Sequence, residues 1–344
     1  MTAPTIGFFT RLLDDAAPAE RYALATEQIV HAERHGIGRA WVAQHHFRAA
    51  EGGLPSPLVF LAHVAAQTTS IRLGTGVITL PLEDPVRVSE DAVVADLLSG
   101  GRLDLGLGSG GTPSSFAPFG EDVRAKAVTY DRKLGVLLDA LGGRDIGEDN
   151  TLYPDAGTLG DRIWQATFSV PGGHRAGVHG HGLLLSRTQP RPVGDLHAPL
   201  SALQDPIIDA YLEALPAGVA PRITASRTVF VADDRAEALR FAEVGLRRAA
   251  EGFRRQGQTI PGDDLDELIA ALDTHLGTPD EVAESLAADA TLARATEVAF
   301  QVHSVDAPHA HVLRSIELFA EQVAPALGYA LTDTSFTDII KEKA

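Results

Sequence analysis

The chain has 344 residues, no cysteine and a formal net charge of −17. This excludes disulfides, thiolate nucleophiles and cysteine-ligated metal centres, and the acidic balance argues against nucleic acid, which needs clustered Lys and Arg. With 44% apolar and 22% charged residues, no apolar run of about 18 residues and no signal-peptide pattern in Met1 to Thr5, the expectation is a cytoplasmic enzyme without a membrane span.

Ile6 to Phe9 reads as a first strand. Pro18 opens a helix whose apolar face, Tyr22, Ala25, Ile29 and Ala32, advances in steps of three and four, and Gly36 caps it. A second strand, Arg39 to Ala43, stops at Gln44-His45-His46. Ser56 and Pro57 start a helix through Ala66, Ile71 to Leu80 is a third strand ended by Pro81, and Pro85 to Leu98 is helical up to Gly100-Gly101. Leu103 to Leu107 gives a fourth strand and Val123 to Leu141 a long amphipathic helix. A Gly- and Asp-rich insert, 142–160, leads to a fifth strand, Arg162 to Thr167. A short helix, His174 to Val178, precedes a sixth strand, Gly182 to Ser186. A Pro-rich loop, Gln189 to Pro199, and a helix, Ile207 to Leu215, come next. The seventh strand is Arg222 to Val231, with a helix from Ala236 to Phe253. An extra helix, Asp264 to Leu276, and one started by Thr278-Pro279 and running through Ala288 precede the eighth strand, Glu297 to His303. Val312 to Val323 is the closing helix.

Strands that alternate with helices make a parallel sheet, because parallel neighbours need helical crossovers. Eight such units predict a closed (β/α)8 barrel, one domain over residues 1–344. Its insertions follow strands four and six, and its extra helix precedes strand eight.

Active sites of such barrels gather at the C-terminal strand ends. Four ends stand out: Gln44-His45-His46, Gly74-Thr75-Gly76-Val77, Gly106 to Gly111, and Thr167 to Ser169 with Gly172-Gly173. Successive strand residues face opposite ways, so one histidine of the pair is free to face a pocket while the other packs. Imidazole titrates near neutrality and suits proton handling, hydrogen bonding or metal ligation. Glycines on one rim let the backbone approach a flat ligand. Gly106-x-Gly108-x-x-Gly111 has dinucleotide spacing but follows a fourth strand, with Pro113 soon after, so a dinucleotide fold is rejected. Thr167, Ser169, Gly172 and Gly173 ahead of a short helix suit a phosphate, with His174 and Arg175 as added charge. His179-x-His181 and His309-x-His311 have the look of ligand pairs, but fall before the sixth strand and at the last helix; no metal site is expected. Arg187 and His303 are candidate substrate contacts. No G-x-S-x-G elbow is present for acyl-enzyme chemistry.

Several runs together resemble the bacterial luciferase-like flavin monooxygenases. They are Gly36 to Phe47; Ile71 to Pro81 with Asp84-Pro85-Val86-Arg87 and Glu90-Asp91; Gly101 to Gly108; Gly277 to Val282; and Phe319 to Pro325. The likeness is dense over 36–120, sparse from 140 to 270, and returns at the end. It implies a (β/α)8 barrel that binds reduced FMN (FMNH2), delivered by a separate NAD(P)H:flavin reductase, and reacts it with O2 to oxidise a small organic substrate. His45 takes the position of the family's active-site histidine, a general base or stabiliser of the flavin–oxygen adduct. Gly76-Val77 would lie beneath the isoalloxazine, where the family often has a non-prolyl cis peptide. Ser109 falls near the flavin edge, and Thr167, Ser169, Gly172 and Gly173 match the phosphate end.

The departures are Gly108-Ser109 where luciferase has Cys-Arg, the Thr167–Gly173 segment where it has Glu-Ser, and Gln44 where a glutamate is common. They weigh against light emission from aldehydes. The segments 142–160 and 188–201 are candidate lids. By analogy the chain forms a homodimer through the helices after strands two and three. The alternatives are a deazaflavin-dependent hydride transfer without O2, a non-catalytic flavin-binding partner subunit, and a metallohydrolase.

Overall fold

The computed structural model describes residues 3–332, so 1–2 and 333–344 of the expected domain lie outside it. The strands are β1 (Thr5–Thr10), β2 (Arg39–Val42), β3 (Arg72–Thr75), β4 (Ile78–Thr79), β5 (Leu103–Gly108), β6 (Ile163–Ala166), β7 (Gly182–Leu185), β8 (Ile223–Val231), β9 (Thr274–Gly277) and β10 (Glu297–Gln301). All pairings are parallel. The ring closes where β10 pairs with β1 on one side and with the first half of β8 on the other. With β3 and β4 as one interrupted strand and β9 outside the ring, this is an eight-stranded (β/α)8 barrel.

The helices around it are α1 (Pro18–Arg34), α2 (Pro57–Ala65), α3 (Pro85–Leu98), α4 (Lys126–Leu141), α5 (Val170–Val178), α6 (Leu200–Ala214), α7 (Arg235–Arg255), α8 (Leu265–Ala271), α9 (Pro279–Ala287) and α10 (His309–Leu318). Proline opens α1, α2, α3 and α9, where its missing N–H costs nothing. Asp84 caps α3, and Asp264 with Glu267 forms a capping box on α8. Among the described residues no helix is long and apolar enough to cross a membrane.

Four expectations need correction. The extra helix ends at Ala271, and Thr274–Gly277 is a strand. The nine-residue β8 outruns the ring, and its last residues, Thr228–Val231, take Thr274–Gly277 as partner for backbone groups that would otherwise be buried unpaired. The third strand is interrupted at Gly76-Val77, whose peptide bond is cis. Helix α6 starts at Leu200 rather than Ile207, with Pro206 inside its first two turns. Finally, 142–160 joins α4 to β6, and Arg162 at its end hydrogen-bonds Gly101 and Leu103 at the start of β5. That is the barrel's N-terminal face, opposite the mouth, so this insert is no lid.

The lumen is filled in layers. At the N-terminal end Arg39 Nε donates to Asp104 at 2.9 Å and its Nη1 pairs with Glu297; Arg72 Nε also reaches Asp104, at 2.7 Å. Trp41 donates to Glu297 at 2.7 Å and Trp164 to Asp104 at 3.3 Å. The two indoles meet edge to face at 5.5 Å, with Leu184 and Ala299 beside them. Above these lie Phe9, Val77 and Ala166, only partly covered. Burial alone would raise the Asp104 carboxyl, but Arg39 and Arg72 hold it below the usual carboxylate range.

Replacing Asp104 by Ala strips Arg72 of its carboxylate, leaves Arg39 with Glu297 alone, and orphans the Trp164 N–H. We expect a loss of about 3–5 kcal/mol of stability. Thermal denaturation followed by circular dichroism checks this, and an unchanged melting temperature contradicts the layer's role.

Candidate active site

Each strand delivers its last residues to the C-terminal mouth, and neighbouring strands deliver neighbouring side chains. In the ladder Thr79 stands opposite Gly108, and Val77 packs where a Cβ on Gly108 would lie 2.6 Å from it. Leu107 stands opposite Gln165, so Ser109 and Thr167 leave adjacent strands side by side. The structure thus brings Gly76, Val77, Ser109 and Thr167 together along one arc of the rim. Phe9, Val77 and Ala166 give this arc an apolar floor.

His45 stands in the loop after β2. Arg11, just past β1, donates from Nε to His45 Nε2 at 3.3 Å and from Nη2 to the Glu51 carbonyl. A guanidinium has no acceptor, so Nε2 carries the lone pair and the proton sits on Nδ1. Burial pushes the His45 pKa well below its usual value, and Arg11, His46 and Arg187 push it further the same way. The imidazole is therefore neutral. Gly52, at φ +145°, presses against it: a Cβ there would meet the His45 ring at 2.7 Å. Leu12 and Phe47, flanking Arg11 and the histidines, also hold positive φ values of 55° and 67°, a strained backbone of the kind that collects at functional sites.

His46 turns aside and packs against Phe119, ring centroids 4.9 Å apart. Gln44 has a role its charge did not suggest. Its Oε1 accepts from the Thr79 N–H at 2.7 Å while its Nε2 donates to Glu83 at 2.6 Å and to the Pro55 carbonyl. This amide ties the β2 exit to the chain beyond Gly76-Val77, where a glutamate would lack the donor.

At the far end of the arc Ser169 caps α5, accepting from the Gly172 N–H at 3.3 Å, with the Thr167 hydroxyl 3.2 Å away. Gly173 serves packing: a Cβ on it would lie 2.5 Å from the Ile207 carbonyl of α6. Arg175 is turned away, bound to Gln165 at 2.9 Å and Asp131 at 3.0 Å and stacked over Tyr130. His174 is exposed. A phosphate here would rely on two hydroxyls and a helix N-terminus.

The HxH histidines take protein partners. His181 Nδ1 meets Gln165, its pKa lowered to about 3 by burial, whereas His309 and His311 face Glu27 and Glu237. His303 is buried at the end of β10, 3.6 Å from Asp14. Sequence reasoning missed Arg11, although an arginine directly beyond an apolar first strand was itself a signal. It named Arg187 without its surroundings: Thr228 at 2.8 Å and Ser304 at 3.5 Å.

A family profile described as luciferase-like monooxygenase matches residues 6–297. The chain belongs to that family. Among luciferase-like relatives, the 4-hydroxyprotoasukamycin monooxygenase of Streptomyces nodosus subsp. asukaensis is 30% identical over 321 residues, 87% of this chain and 85% of that one. The oxygenating constituent of 3,6-diketocamphane monooxygenase from Pseudomonas putida, solved in complex with FMN, superposes with TM-score 0.73 and 19% identity, covering 96% of this chain and 99% of that one. An F420-dependent secondary alcohol dehydrogenase superposes with TM-score 0.68 and 15% identity, covering 95% and 99%. Both structural likenesses are of fold.

A neutral, half-buried His45 makes a prediction. Because its folded pKa is depressed, only the unfolded chain takes up this proton as pH falls below about 6.5, and stability is lost progressively there. Nuclear magnetic resonance of ring-labelled histidine is expected to show one imidazole, absent in His45→Ala, with no titration near that pH. A His45 titrating at 6 or above contradicts the assignment.

Proposed function

We propose that the chain is a single-domain, FMN-dependent monooxygenase of the two-component kind, working in the cytoplasm on a small organic substrate with reduced FMN from a separate reductase. The observation that carries this is the neutral His45, fixed by Arg11 at a barrel mouth with an apolar floor. The name of the diketocamphane relative, an oxygenating constituent, supports electron delivery by a second protein.

The residues present fit the cofactor. Phe9, Val77 and Ala166 offer a flat apolar bed over the tryptophan layer, with Gly76 part of the same segment. Ser109 stands at its edge. Thr167, Ser169 and the start of α5 supply hydroxyl and N–H groups for a phosphate, and Gly172 and Gly173 let that helix start lie close to Thr167 and α6. When bound, reduced FMN supplies the two electrons that let O2 place one oxygen atom on substrate and the other in water.

The chain's own part is to shape and dry the site. The apolar floor keeps water from the reacting face. His45 presents one N–H and, being neutral, no second proton to release. Arg11 and Gly52 hold the ring in that tautomer and place. The loop 188–201, which follows β7 at the mouth and is tied by Arg191 to Asp273, remains the candidate lid.

Aerobic turnover with NAD(P)H, FMN and a flavin reductase tests this. Wild type is expected to consume O2 and oxidise a substrate from a screened panel, and His45→Ala to lose coupled oxidation by about 10²-fold or more, as for a general acid–base residue, with FMN affinity kept. Undiminished coupling in the variant sinks the role of His45. Reduction by F420 without O2 uptake supports the deazaflavin alternative instead, and flavin binding with no turnover supports the partner-subunit one.

We also propose a homodimer through α2 and α3. Val59 on α2 and Val94, Leu97 and Leu98 on α3 are apolar and 46–73% exposed, which supports a covered face. Light scattering is expected to give twice the chain mass and Leu97→Glu a monomer; a monomeric wild type contradicts the dimer.

A further inference from the structure

We propose that Arg187, with Arg11 beside it, is the anion subsite for the substrate, so that the molecule oxidised at this mouth carries a carboxylate on a ring-sized apolar body. The inference rests on the flavin reading above and extends it to the class of substrate.

Among the described residues the one other arginine as buried as Arg187 is Arg227, and it has a carboxylate; the half-buried Arg39 and Arg162 do too, whereas the half-buried Arg102 and Arg222 are met by carbonyls and a hydroxyl. Arg39 holds Asp104 and Glu297, Arg162 holds Asp96, and the fully buried Arg227 holds Asp289. Arg187 is only 6% exposed, yet its guanidinium meets the hydroxyls of Thr228 and Ser304. Among the described residues neither Arg187 nor Arg11 has a carboxylate within the 4.0 Å of an ion pair. A buried charge without a counter-charge is costly, and evolution tolerates it where a ligand completes it. Burial lowers Arg187 to about 9, with Arg11 adding to the fall, and lowers Arg11 to about 10 against the opposing pull of Glu51. A bound anion would reverse both.

A cavity of about 190 Å³ opens beside Arg187, between the loop after β7 and the connection from α7 to α8. Leu196, Phe253, Ile260 and Leu272 give it apolar walls. Asp273 is the one carboxylate among the lining residues, and Arg191 Nη2 lies 2.7 Å from both its oxygens. Among the charged lining residues, Arg187 is therefore the one without an ion-pair partner. Gln189, also in the lining, donates from Nε2 to the Phe168 carbonyl at 3.0 Å and adds no charge. A cavity of about 150 Å³ holds benzene, so one ring is the matching size.

The test uses benzoate and its neutral analogue benzamide, titrated calorimetrically into the purified chain with and without FMN. Benzoate is expected to bind about tenfold or more tightly than benzamide, the preference to vanish in Arg187→Met and to survive in part in Arg187→Lys, with FMN affinity within about threefold of wild type in both. Arg11→Gln serves the same purpose if Arg187→Met does not fold. Equal binding of the two probes, no benzoate binding, or an unchanged preference in the variants overturns the subsite. So does loss of FMN affinity alone, which assigns the arginines to the cofactor. A chain that binds benzoate but no FMN keeps the subsite and refutes the flavin reading.

Discussion

The buried ion layer at the closed end of the barrel is the constraint on which the rest depends. Arg39 on β2 bridges Asp104 on β5 to Glu297 on β10, and Arg72 on β3 shares Asp104. Thr224 on β8 also reaches Glu297, at 3.2 Å, and Trp164 ties in β6. Six strands are pinned to one polar centre. Because pairing register fixes which residue leaves each strand at the far end, pinning the bottom sets which side chains meet at the mouth. The indole pair above is the hinge between the two zones: its N–H groups satisfy the carboxylates below, and its apolar faces carry the floor of the site above.

Electrostatics divides the same way. At the bottom, opposite charges cancel within the layer, and the result is structure. At the mouth, Arg11 and Arg187 hydrogen-bond to hydroxyls, a carbonyl and a neutral imidazole, with Glu51 and Asp273 beyond ion-pair distance, and the result is an unfilled demand for an acceptor. The neutrality of His45 follows first from its burial, and both arginines lie near enough to oppose its protonation further. One arrangement thus sets the histidine's protonation state and selects for a negatively charged ligand.

The barrel was legible because alternation of strand and helix has a period, and proline and glycine mark its boundaries. Glu297 and Arg39 were not read as an ion pair, since 258 positions separate them. The Thr274–Gly277 strand escaped because its partner, the overhang of β8, is defined by tertiary pairing and not by local pattern. Position explains the insert too: 142–160 and 189–199 are both long and loop-like, but one follows a helix and the other a strand, which places them on opposite faces. At the site, the resemblance marked His45 and the glycine rim, while Arg11 lies outside every run that carries the resemblance and is defined by its 3.3 Å contact to His45. Gln44 read as a lost charge; its clamp on Thr79 and Glu83 required coordinates.

A crystal structure of the chain with FMN tests the central claim most directly. The account predicts the isoalloxazine over Phe9 and Gly76-Val77, the phosphate at Thr167, Ser169 and the start of α5, and His45 facing the ring while still accepting from Arg11. A phosphate seated on Arg11 and Arg187, or a ring bound away from Val77, contradicts it.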